Sequence, residues 1–397
     1  MLSLDEARAR LLAAAAPLER TERVATLEAL GRVLAEPLRS TVDVPPMNNA
    51  EMDGYAVRRE DLLRVPATLP VAQRVAAGQV GEPLAPGTVA RIFTGAAVPA
   101  GCDAVVMQER AEAGDGVVTF VETPPAGQFI RRAGFDIAAG AEVLPAGLRL
   151  RAQDLGLAAS VGCAELPVRP RLRVAVFFTG DELAMPGEAL APGRIYNSNR
   201  FVLRGLLQAM GCEIVDLGIV PDRREATREA FVRAAGQADL IVTSGGVSVG
   251  EEDHVRPAVE AEGRLELWQV AMKPGKPLAF GAVRGVPFIG LPGNPVSGFV
   301  TFQVLVRPFI RRRQGIAAAD APARSMRADF DWTKPDRRRE FLRVRINDRG
   351  GLDLYRTQNA AVLTSVAWAD GLVENPEGKA IVSGDLVAFH PFDAWQG

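Results

Sequence analysis

The sequence predicts an α/β multidomain protein in which a doubly wound, mostly parallel sheet forms the central domain. Three observations lead to this prediction. At 397 residues the chain is too long for one ordinary core. From residue 172 onward, all-apolar strand segments alternate with amphipathic helix segments, as in doubly wound sheets. Before and after that region, short apolar runs lie between glycines and prolines, which indicates smaller domains.

The first predicted domain is helical and extended, and combines residues 1–40 with residues 137–167. Ser3 and Glu6 form a capping box that predicts a helix start. We expect the helical pattern to continue to residue 35, and the Ala- and Leu-rich segment at 137–167 to pack back on these helices. The second helical pattern consists of Val24, Leu27, Leu30 and Leu34.

A β-rich domain of residues 41–136 is predicted to be inserted into this first domain. Two prolines and two asparagines break the helical periodicity at its start, in TVDVPPMNN. Short apolar runs such as VARIF and DAVVM follow between Gly and Pro, which is typical of short strands.

The central α/β domain is predicted to span residues 168–317. Gly211 is predicted to end its first helix, and Asp222 with Glu225 to form a capping box on the second. A long helix from Asn294 to about Arg313 closes the domain. The predicted strands are LRVAVFF, EIVDLGIV, ADLIVTSGG and the segments near 265–271, 278–283 and 286–291, with a short helix from Glu252.

The last domain, residues 318–397, is predicted to be a small β-barrel-like domain. In EFLRVRI, apolar Leu342, Val344 and Ile346 alternate with arginines, which is the period of a half-buried strand. DRGGLDLY predicts a hairpin turn after that strand.

Composition excludes several classes of function. The 46 basic and 48 acidic residues give a net charge of −2, so the chain has no overall attraction for nucleic acid or anionic membranes. Two histidines and three scattered cysteines cannot complete a zinc site, and we expect Cys102, Cys163 and Cys212 to be buried small hydrophobic residues. With no signal-peptide pattern and no long uncharged apolar run, a cytoplasmic protein is expected.

The segment SGGVSVGEED, residues 244–253, predicts a phosphate site followed by acids. Its glycines follow a strand, where bare backbone N–H groups can approach a phosphate closely. Gly245 and Gly250 have the Walker A spacing, but Glu251 and Glu252 stand where that motif has Lys and Ser or Thr. Because ligands bind at the carboxyl ends of parallel strands, three more loops belong to the same edge: TGDEL, PDRRE and PGNPVSG.

Four acids in these loops predict a divalent metal beside the phosphate. Carboxylates that converge on a phosphate loop would repel an anion unless a cation lies between them, and Mg²⁺ takes a few carboxylates together with phosphate oxygens. The alternative is that each acid is a solvated loop charge or a helix cap. The acids are Asp181, Glu182, Asp222 and Asp253.

Two of the chain's four lysines, Lys273 and Lys276, lie together in MKPGKP. The remaining 42 basic residues are arginines. A lysine pair in such a chain favours a site that binds a compact oxyanion through point charges. Chance clustering in a turn is the alternative.

The glycine-rich segment also contains G-x-S-x-G, the nucleophile elbow of serine hydrolases, around Ser248. His390, with Asp331, Asp353 or Asp370, would give the elbow family's chain order. Ser244 and Gly245 intervene between strand and motif, however, and the acids after it would oppose a developing oxyanion. A hydrolase is therefore the minor alternative.

Eight motifs taken in order resemble those of the molybdopterin molybdenumtransferases, the family of MoeA and the gephyrin E-domain. The resemblance covers essentially the whole chain and implies a central domain of the molybdopterin-binding type. It also implies that molybdate is inserted into adenylylated molybdopterin with Mg²⁺-dependent release of AMP. The motifs are MDGYA, RIFTGAAVP, DAVVMQE, TGDEL, RIYNSNR, TSGGVSVGEED, MKPGKP and LPGNPVS.

The resemblance implies roles for individual residues. Catalytic or metal-binding polar residues are Asp53, Thr94, Glu182, Asp222 and Asp253, of which Glu182, Asp222 and Asp253 would hold the metal. Substrate contacts are implied for Asp136, Ser244, Gly245, Gly246, Ser248, Gly250, Pro277 and Asn294. Molybdate would be faced by Lys273 and Lys276, which the resemblance also implies to be catalytic, and by Ser297, Arg338 and Arg343.

The resemblance further implies a homodimer whose site is shared between subunits, and transient contacts with other cofactor-biosynthesis proteins or apo-enzymes. The sequence departs from the family pattern at Phe178 and His254, and Ala360 replaces the first Ser of Q-x-S-x-x-L-x-S. An oxyanion contact from that segment would come from Thr364 or Ser365, or the segment makes none. The alternatives of another class are an adenylylating enzyme of the same pathway and a non-catalytic scaffold.

Overall fold

A computed structural model describes residues 1–246, 254–317 and 322–393, with the backbone only for Leu267. A six-stranded sheet in strand order β16-β13-β17-β21-β20-β18 forms its centre. The first four strands of that order are parallel, and β20 and β18 each run antiparallel to the strand before them. The predicted mostly parallel sheet is confirmed. Its strands are β13 (Arg173–Thr179), β16 (Glu213–Val220), β17 (Leu240–Ser244), β18 (Gly263–Gln269), β20 (Pro277–Val283) and β21 (Val286–Leu291).

Helices cover both faces of this sheet. Alternate residues of β13 face opposite sides: Val174 and Val176 pack among α1, α3 and the last helices, and Ala175 and Phe177 pack among α4 and α5. On the second side the Phe231 ring lies edge-on, 4.9 Å from the Phe177 ring. The helices are α1 (Leu4–Ala13), α3 (Ser198–Ala209), α4 (Arg224–Gln237), α5 (Val255–Glu262), α6 (Pro295–Thr301), a π-helix (Phe302–Val306) and α7 (Arg307–Arg313).

Helix boundaries match the predictions in part. The Ser3–Glu6 capping box is present, and Gly211 follows α3 with a positive φ of 72°. The predicted Asp222–Glu225 capping box is wrong, because α4 begins one residue later and its N-cap, Arg223, makes no side-chain capping bond. This shift leaves the Asp222 carboxyl group outside the helix, at the edge of the sheet.

The N-terminal region contradicts the prediction of a second helix up to residue 35. β1 (Glu22–Ala25) pairs antiparallel with β12 (Glu165–Val168), and only a short 3-10 turn, Thr26–Glu28, follows. Leu27 is 94% exposed, so the spaced leucines do not form one buried helix face. The remaining elements here are β2 (Leu38–Arg39), β11 (Glu142–Leu144) and α2 (Ala152–Ser160).

The described part of the region predicted as an inserted domain is β-rich, as expected. Its six-stranded sheet has the order β7-β4-β6-β5-β9-β8. Cys102 lies at the edge of its core and is only partly buried, as is Cys163, whereas Cys212 is buried; the expectation of three buried cysteines therefore holds for one. The strands are β3 (Asn49–Ala50), β4 (Gly54–Val57), β5 (Ala67–Val75), β6 (Val89–Ile92), β7 (Ala104–Met107), β8 (Ala111–Ala113), β9 (Val117–Phe120) and β10 (Ile130–Arg131).

The C-terminal sheet includes a strand from the α/β region. β19 (Met272–Lys273) lies at its edge, parallel to β23 (Arg339–Ile346), in the order β19-β23-β25-β26-β22. The predicted hairpin is confirmed by the antiparallel pairing of β23 with β24 (Leu352–Leu354). One short helix, α8 (Thr364–Trp368), interrupts the predicted all-β region. The other strands are β22 (Arg324–Arg327), β25 (Gly371–Asn375) and β26 (Leu386–Pro391), and a separate pair is formed by β14 (Leu183–Ala184) and β15 (Ile195–Tyr196).

Across the described ranges, no helix combines the length and the apolar character that a membrane crossing needs.

Candidate active site

A cavity of about 740 Å³ opens at the carboxyl ends of β13, β17 and β21. All four loops that the sequence assigned to this edge contribute to its wall, as expected for a parallel sheet. The C-terminal region adds Ala361. The predicted site residues that line it are Glu182, Asp222, Ser244, Gly245, Gly246, Pro277, Asn294 and Ser297.

The glycine turn after β17 has a conformation that side chains would disrupt. Gly245 and Gly246 have positive φ angles of 99° and 64°. A Cβ on Gly245 would lie 2.6 Å from the backbone oxygen of Thr179, and one on Gly246 would lie 2.6 Å from Cγ2 of Val255. The close approach of bare backbone therefore requires glycine at both positions. Ser248, Gly250 and Asp253, which the sequence placed in this site, lie outside the described residues.

Asn199 joins three walls of the cavity. Its side-chain amide donates to Oγ of Ser244 at 2.9 Å and to the carbonyl oxygen of Gly293 at 2.8 Å. Ser244 Oγ in turn donates to the carbonyl of Pro292 at 3.2 Å. Asn199 lies in the RIYNSNR motif, but no role was predicted for it from the sequence. The sequence signal that could have identified Asn199 is an amide side chain in the first turn of a helix that follows a strand.

The start of α3 and the start of α6 both border the cavity. Asn197 caps α3 by accepting from the backbone N–H of Arg200. Asn294 precedes α6, which begins with Pro295 and continues through the π-helix into α7. Unpaired N–H groups and the helix dipole make such ends favourable for an anion.

Two carboxylates stand beside this wall of the cavity. The Glu182 carboxylate lies over Gly180, where an added Cβ would be 2.5 Å from Oε2. The backbone N–H of Asp222 donates to Oδ1 of Asp181 at 3.3 Å. Across the described residues, no three acidic, histidine or cysteine side chains converge as a metal site. Two carboxylates with phosphate oxygens nevertheless fit the ligand set that Mg²⁺ takes beside a phosphate.

The two lysines of MKPGKP have different surroundings. Lys273 Nζ lies 3.2 Å from Oε1 of Glu340 and 3.3 Å from Oδ2 of Asp336. Lys276 is exposed, and within the described ranges no carboxylate forms an ion pair with it. Pro277, the next residue, lines the cavity. Lys276 therefore directly precedes a residue that lines the cavity and has no counter-charge from the described residues, whereas Lys273 has two.

Arg338 shares Asp336 with Lys273. Two nitrogens of Arg338 each donate to one oxygen of Asp336 at 2.9 Å. The paired guanidinium lowers the pKa of the Asp336 carboxyl well below its usual range, and the same pair raises the pKa of Arg338. Arg338 is thus held in an ion pair rather than at the cavity.

Arg343 is a buried cation with unused bonding capacity. It is 1% exposed, its Nη1 donates to the carbonyl of Phe341 at 3.0 Å, and its Nε contacts Oγ of Ser365 at 3.3 Å. No described residue accepts from Nη2. Burial lowers the pKa of Arg343 to about 10. Such a group favours an anion, because the described surroundings do not compensate its charge.

The segment that departs from the family pattern reaches the cavity through its backbone. The carbonyl of Ala360 accepts from the N–H of Val296, in the first turn of α6, at 3.1 Å. The hydroxyls expected to replace the missing Ser are already engaged: Ser365 donates to Val362, and Thr364 bonds to the hydroxyl of Tyr355.

Asp53, Thr94 and Asp136 do not line this cavity. Oδ1 of Asp53 accepts from both the N–H and the hydroxyl of Thr94, each at 2.7 Å. These two hydrogen bonds lower the pKa of Asp53. Asp136 is exposed, and its N–H donates to the carbonyl of Val44. The structure brings Asp53 and Thr94 together in the β-rich region, away from the other predicted site residues.

His390 lies within 2.8 Å of Glu374 on the neighbouring strand of the C-terminal sheet. The three acids proposed as its hydrolase partners have other contacts: Asp331 accepts from Ser383, Asp353 from Asn347 and Asp370 from Ile346. The geometry therefore gives no support to a serine hydrolase triad.

Family profiles match three consecutive parts of the chain. Residues 2–162 match the "MoeA N-terminal region (domain I and II)", residues 175–312 a "probable molybdopterin binding domain", and residues 325–392 the "MoeA C-terminal region (domain IV)".

Full-length relatives agree with these matches. The chain is 40% identical to the molybdopterin molybdenumtransferase of Haemophilus influenzae over 99% of both chains, and 40% identical to that of Nostoc over 92% of this chain and 82% of the relative. A crystal structure of the molybdopterin biosynthesis MoeA protein from Pyrococcus horikoshii superimposes with a TM-score of 0.86 at 31% identity, covering 99% of each chain.

Proposed function

This chain belongs to the MoeA family of molybdopterin molybdenumtransferases, and we propose that the cavity at the carboxyl ends of β13, β17 and β21 is its active site. The chain is a transferase of molybdenum cofactor biosynthesis that inserts molybdate into molybdopterin. In this proposal adenylylated molybdopterin is the substrate form, and AMP leaves when molybdate is inserted. The observation that carries the proposal is a glycine turn and two helix starts that face two carboxylates in one cavity.

The phosphate of the adenylyl group binds at the glycine turn. Gly245 and Gly246 leave their backbone open to close approach, and α3 and α6 begin beside them. Asn199 keeps these elements together through Ser244 and Gly293. A site built in this way binds an anion with little rearrangement, so that little conformational entropy is lost when the anion binds.

Mg²⁺ is proposed as a cofactor held by Glu182 and Asp222, together with Asp253 from the family pattern. The support is the presence of the first two carboxylates in the same cavity as the glycine turn. Bound Mg²⁺ neutralises charge on phosphate oxygens. Without a cation, Glu182 and Asp222 would repel the substrate phosphate.

Molybdate binds on the side of the cavity that MKPGKP and the C-terminal region border. Lys276 offers an ammonium without a described counter-charge, and Ser297 lines the cavity beside Pro277. Arg343 has an unused Nη2 donor. Arg343 does not line the cavity and is 1% exposed. In this proposal a tetrahedral dianion at the cavity would compensate its buried charge through space, and the Ser365 contact orients the guanidinium.

Each complete site is proposed to need two subunits. Asp53 and Thr94 are hydrogen-bonded to each other and lie apart from the cavity of their own chain. In a homodimer they, with Asp136, would complete the partner's site. A cytoplasmic location and transient contacts with enzymes that supply or receive the cofactor belong to the same proposal.

The test is AMP release. The purified chain is incubated with adenylylated molybdopterin, molybdate and Mg²⁺, and AMP is quantified by chromatography. We expect release that depends on molybdate and is strongly reduced in Lys276→Ala. Lys379→Ala is the matched control, since Lys379 is exposed in the C-terminal region. Equal AMP release with and without molybdate would contradict the proposal, and formation of adenylylated molybdopterin from ATP and molybdopterin would favour an adenylyltransferase.

A further inference from the structure

We propose that the two lysines of MKPGKP have different tasks. Lys273 is a positioning residue that Glu340 and Asp336 hold between the α/β and C-terminal regions, and Lys276 alone presents its ammonium to the oxyanion. This inference rests on the proposed function for the identity of the oxyanion. It assigns Glu340 and Asp336 a role in substrate use without any contact with substrate.

Glu340 is a buried carboxylate whose bonding capacity is filled. It is 1% exposed. Its Oε1 lies 3.2 Å from Nζ of Lys273, and its Oε2 accepts from Nε1 of Trp332 at 2.7 Å and from Nδ2 of Asn375 at 3.4 Å. A carboxylate buried to this degree needs a cation nearby. Within the described ranges, Lys273 is the cation that pairs with it.

The backbone fixes the same contact. Lys273 and Glu340 are register partners in the parallel pair of β19 and β23. The N–H of Arg339 donates to the carbonyl of Ala271 at 3.0 Å. Arg339 also pairs with Asp5 at the start of α1. The first lysine is therefore built into a junction that joins three parts of the chain.

The charges around Lys273 balance without a ligand. Lys273 and Arg338 supply two positive charges, and Asp336 and Glu340 supply two negative charges, all within hydrogen-bonded contact. A dianion placed at Lys273 would meet these two carboxylates as well. The net attraction there is small, so this position is poorly suited to bind molybdate.

The loop between the two lysines is anchored, and Lys276 directly precedes a residue that lines the cavity. Gly275 has a φ of 112°, and a Cβ there would lie 2.3 Å from Oγ1 of Thr301. The carbonyl of Lys276 accepts from the N–H of Val270 at 2.8 Å. Its side chain is exposed, and Pro277 lines the cavity. Holding Lys273 thus fixes the position from which Lys276 reaches the oxyanion.

The chain has four lysines, so amine labelling can report on each one. Competitive acetylation with limiting acetic anhydride, read by mass spectrometric fragmentation, should label Lys276 fast and Lys273 several-fold more slowly. Molybdate should protect Lys276 and leave Lys273 unchanged, with Lys379 as the internal control. Glu340→Gln should raise the labelling of Lys273 several-fold. Molybdate protection of Lys273 as strong as that of Lys276 would overturn the inference.

A kinetic cycle separates positioning from direct binding. Glu340→Gln retains an acceptor for Trp332 and removes the charge that holds Lys273. We expect Glu340→Gln, Lys273→Met and the double variant to raise the KM for molybdate by the same factor, with kcat nearly unchanged, and Lys273→Arg to restore most of the affinity. Lys379→Met should match the wild type.

If Glu340→Gln lowers the KM for molybdate while Lys273→Met raises it, Lys273 binds the oxyanion directly and the inference is wrong. Independent, additive effects of the two variants would also overturn it. Asp336→Asn, at a partly exposed position, serves as the second variant if Glu340→Gln does not fold. Failure of the wild type to release AMP would instead count against the proposed function, and the labelling pattern would still test the inference.

Discussion

The side chain of Asn199 contacts Oγ of Ser244 at 2.9 Å, which ties the first turn of α3 to the end of β17. The same amide reaches the carbonyl of Gly293, before α6. One residue therefore keeps the glycine turn and two helix starts at fixed separations. We expect the rigidity of the proposed phosphate-binding wall to depend on these two bonds.

Asn199→Ala should weaken binding of adenylylated molybdopterin by up to about thirtyfold, because two hydrogen bonds of about 1 kcal/mol each are lost from the wall of the site. The KM for this substrate and its dissociation constant measure the effect. Gln208→Ala, at an exposed position on the same helix, is the control. Unchanged affinity in Asn199→Ala would show that the wall keeps its shape without these bonds.

Gly245→Ala should abolish most substrate binding and destabilise the fold. A φ of 99° costs an L-residue about 1–2 kcal/mol, and the new Cβ would overlap the backbone oxygen of Thr179 at 2.6 Å. Chemical unfolding and substrate titration report both effects. Gly205→Ala on α3 is the control, since its Cβ meets nothing within 4 Å and should stabilise the chain by about 0.5–1 kcal/mol. A fully active Gly245→Ala would contradict the close-approach argument.

Arg343→Met should lose molybdate use without losing stability. Burial lowers the pKa of Arg343 from its usual value to about 10, which corresponds to about 3 kcal/mol of unfavourable burial of the charged form. Because the unfolded chain binds the proton more tightly, this cost is fully present below pH 10 and is relieved as the pH rises above 10 toward the usual pKa of a guanidinium. Met fills similar volume without a charge.

Thermal unfolding of Arg343→Met is measured beside AMP release at saturating adenylylated molybdopterin. The expected result is an unchanged or raised midpoint together with a large rise in the KM for molybdate. Ser365→Ala should show a smaller rise, since Ser365 only orients the guanidinium. A strongly destabilised Arg343→Met would indicate that the bonds to Phe341 and Ser365 outweigh the burial cost.

Glu182→Gln and Asp222→Asn should each raise the Mg²⁺ concentration for half-maximal AMP release roughly tenfold, because a contact worth about 1.4 kcal/mol changes a binding constant tenfold. Both side chains line the cavity. Titration of Mg²⁺ at fixed substrate gives the values, and Glu229→Gln, exposed on α4, is the control. Full turnover in excess chelator would contradict the proposal that Mg²⁺ is needed for AMP release.

Mixed dimers test the shared site. Asp53→Ala and Lys276→Ala homodimers should each be poorly active. After joint unfolding and refolding, each heterodimer would contain one site with the intact Asp53 of one chain and the intact Lys276 of the other. AMP release should then return in part. Heterodimers that form by mass but stay inactive would place the whole site within one chain.

The sequence determined the α/β region because its signals are local. β13 alternates Val174 and Val176 with Ala175 and Phe177, and the two sets pack on opposite sides of the sheet. The glycine turn was also predictable from the sequence, because Gly245 and Gly246 take φ values that other residues avoid. Strand ends and loop order then placed Glu182 and Asp222 at one edge.

Only the tertiary structure decided features that depend on distant partners. The pattern of Leu27 and Leu30 favoured a helix, but β12, from a later part of the chain, supplies backbone hydrogen bonds that hold the preceding residues as β1. The helix that does form, α1, packs on the central sheet through Leu4 and Leu11.

No feature of the sequence distinguishes the two lysines of MKPGKP, but their surroundings in the folded chain differ. Glu340 lies 67 residues after Lys273 and reaches it through the pairing of β19 with β23. Residue types and spacing identify groups that could bind an oxyanion. Which of these charges remains available depends on the counter-charges that the folded chain brings beside it, because the Coulomb energy follows distance and burial rather than sequence separation.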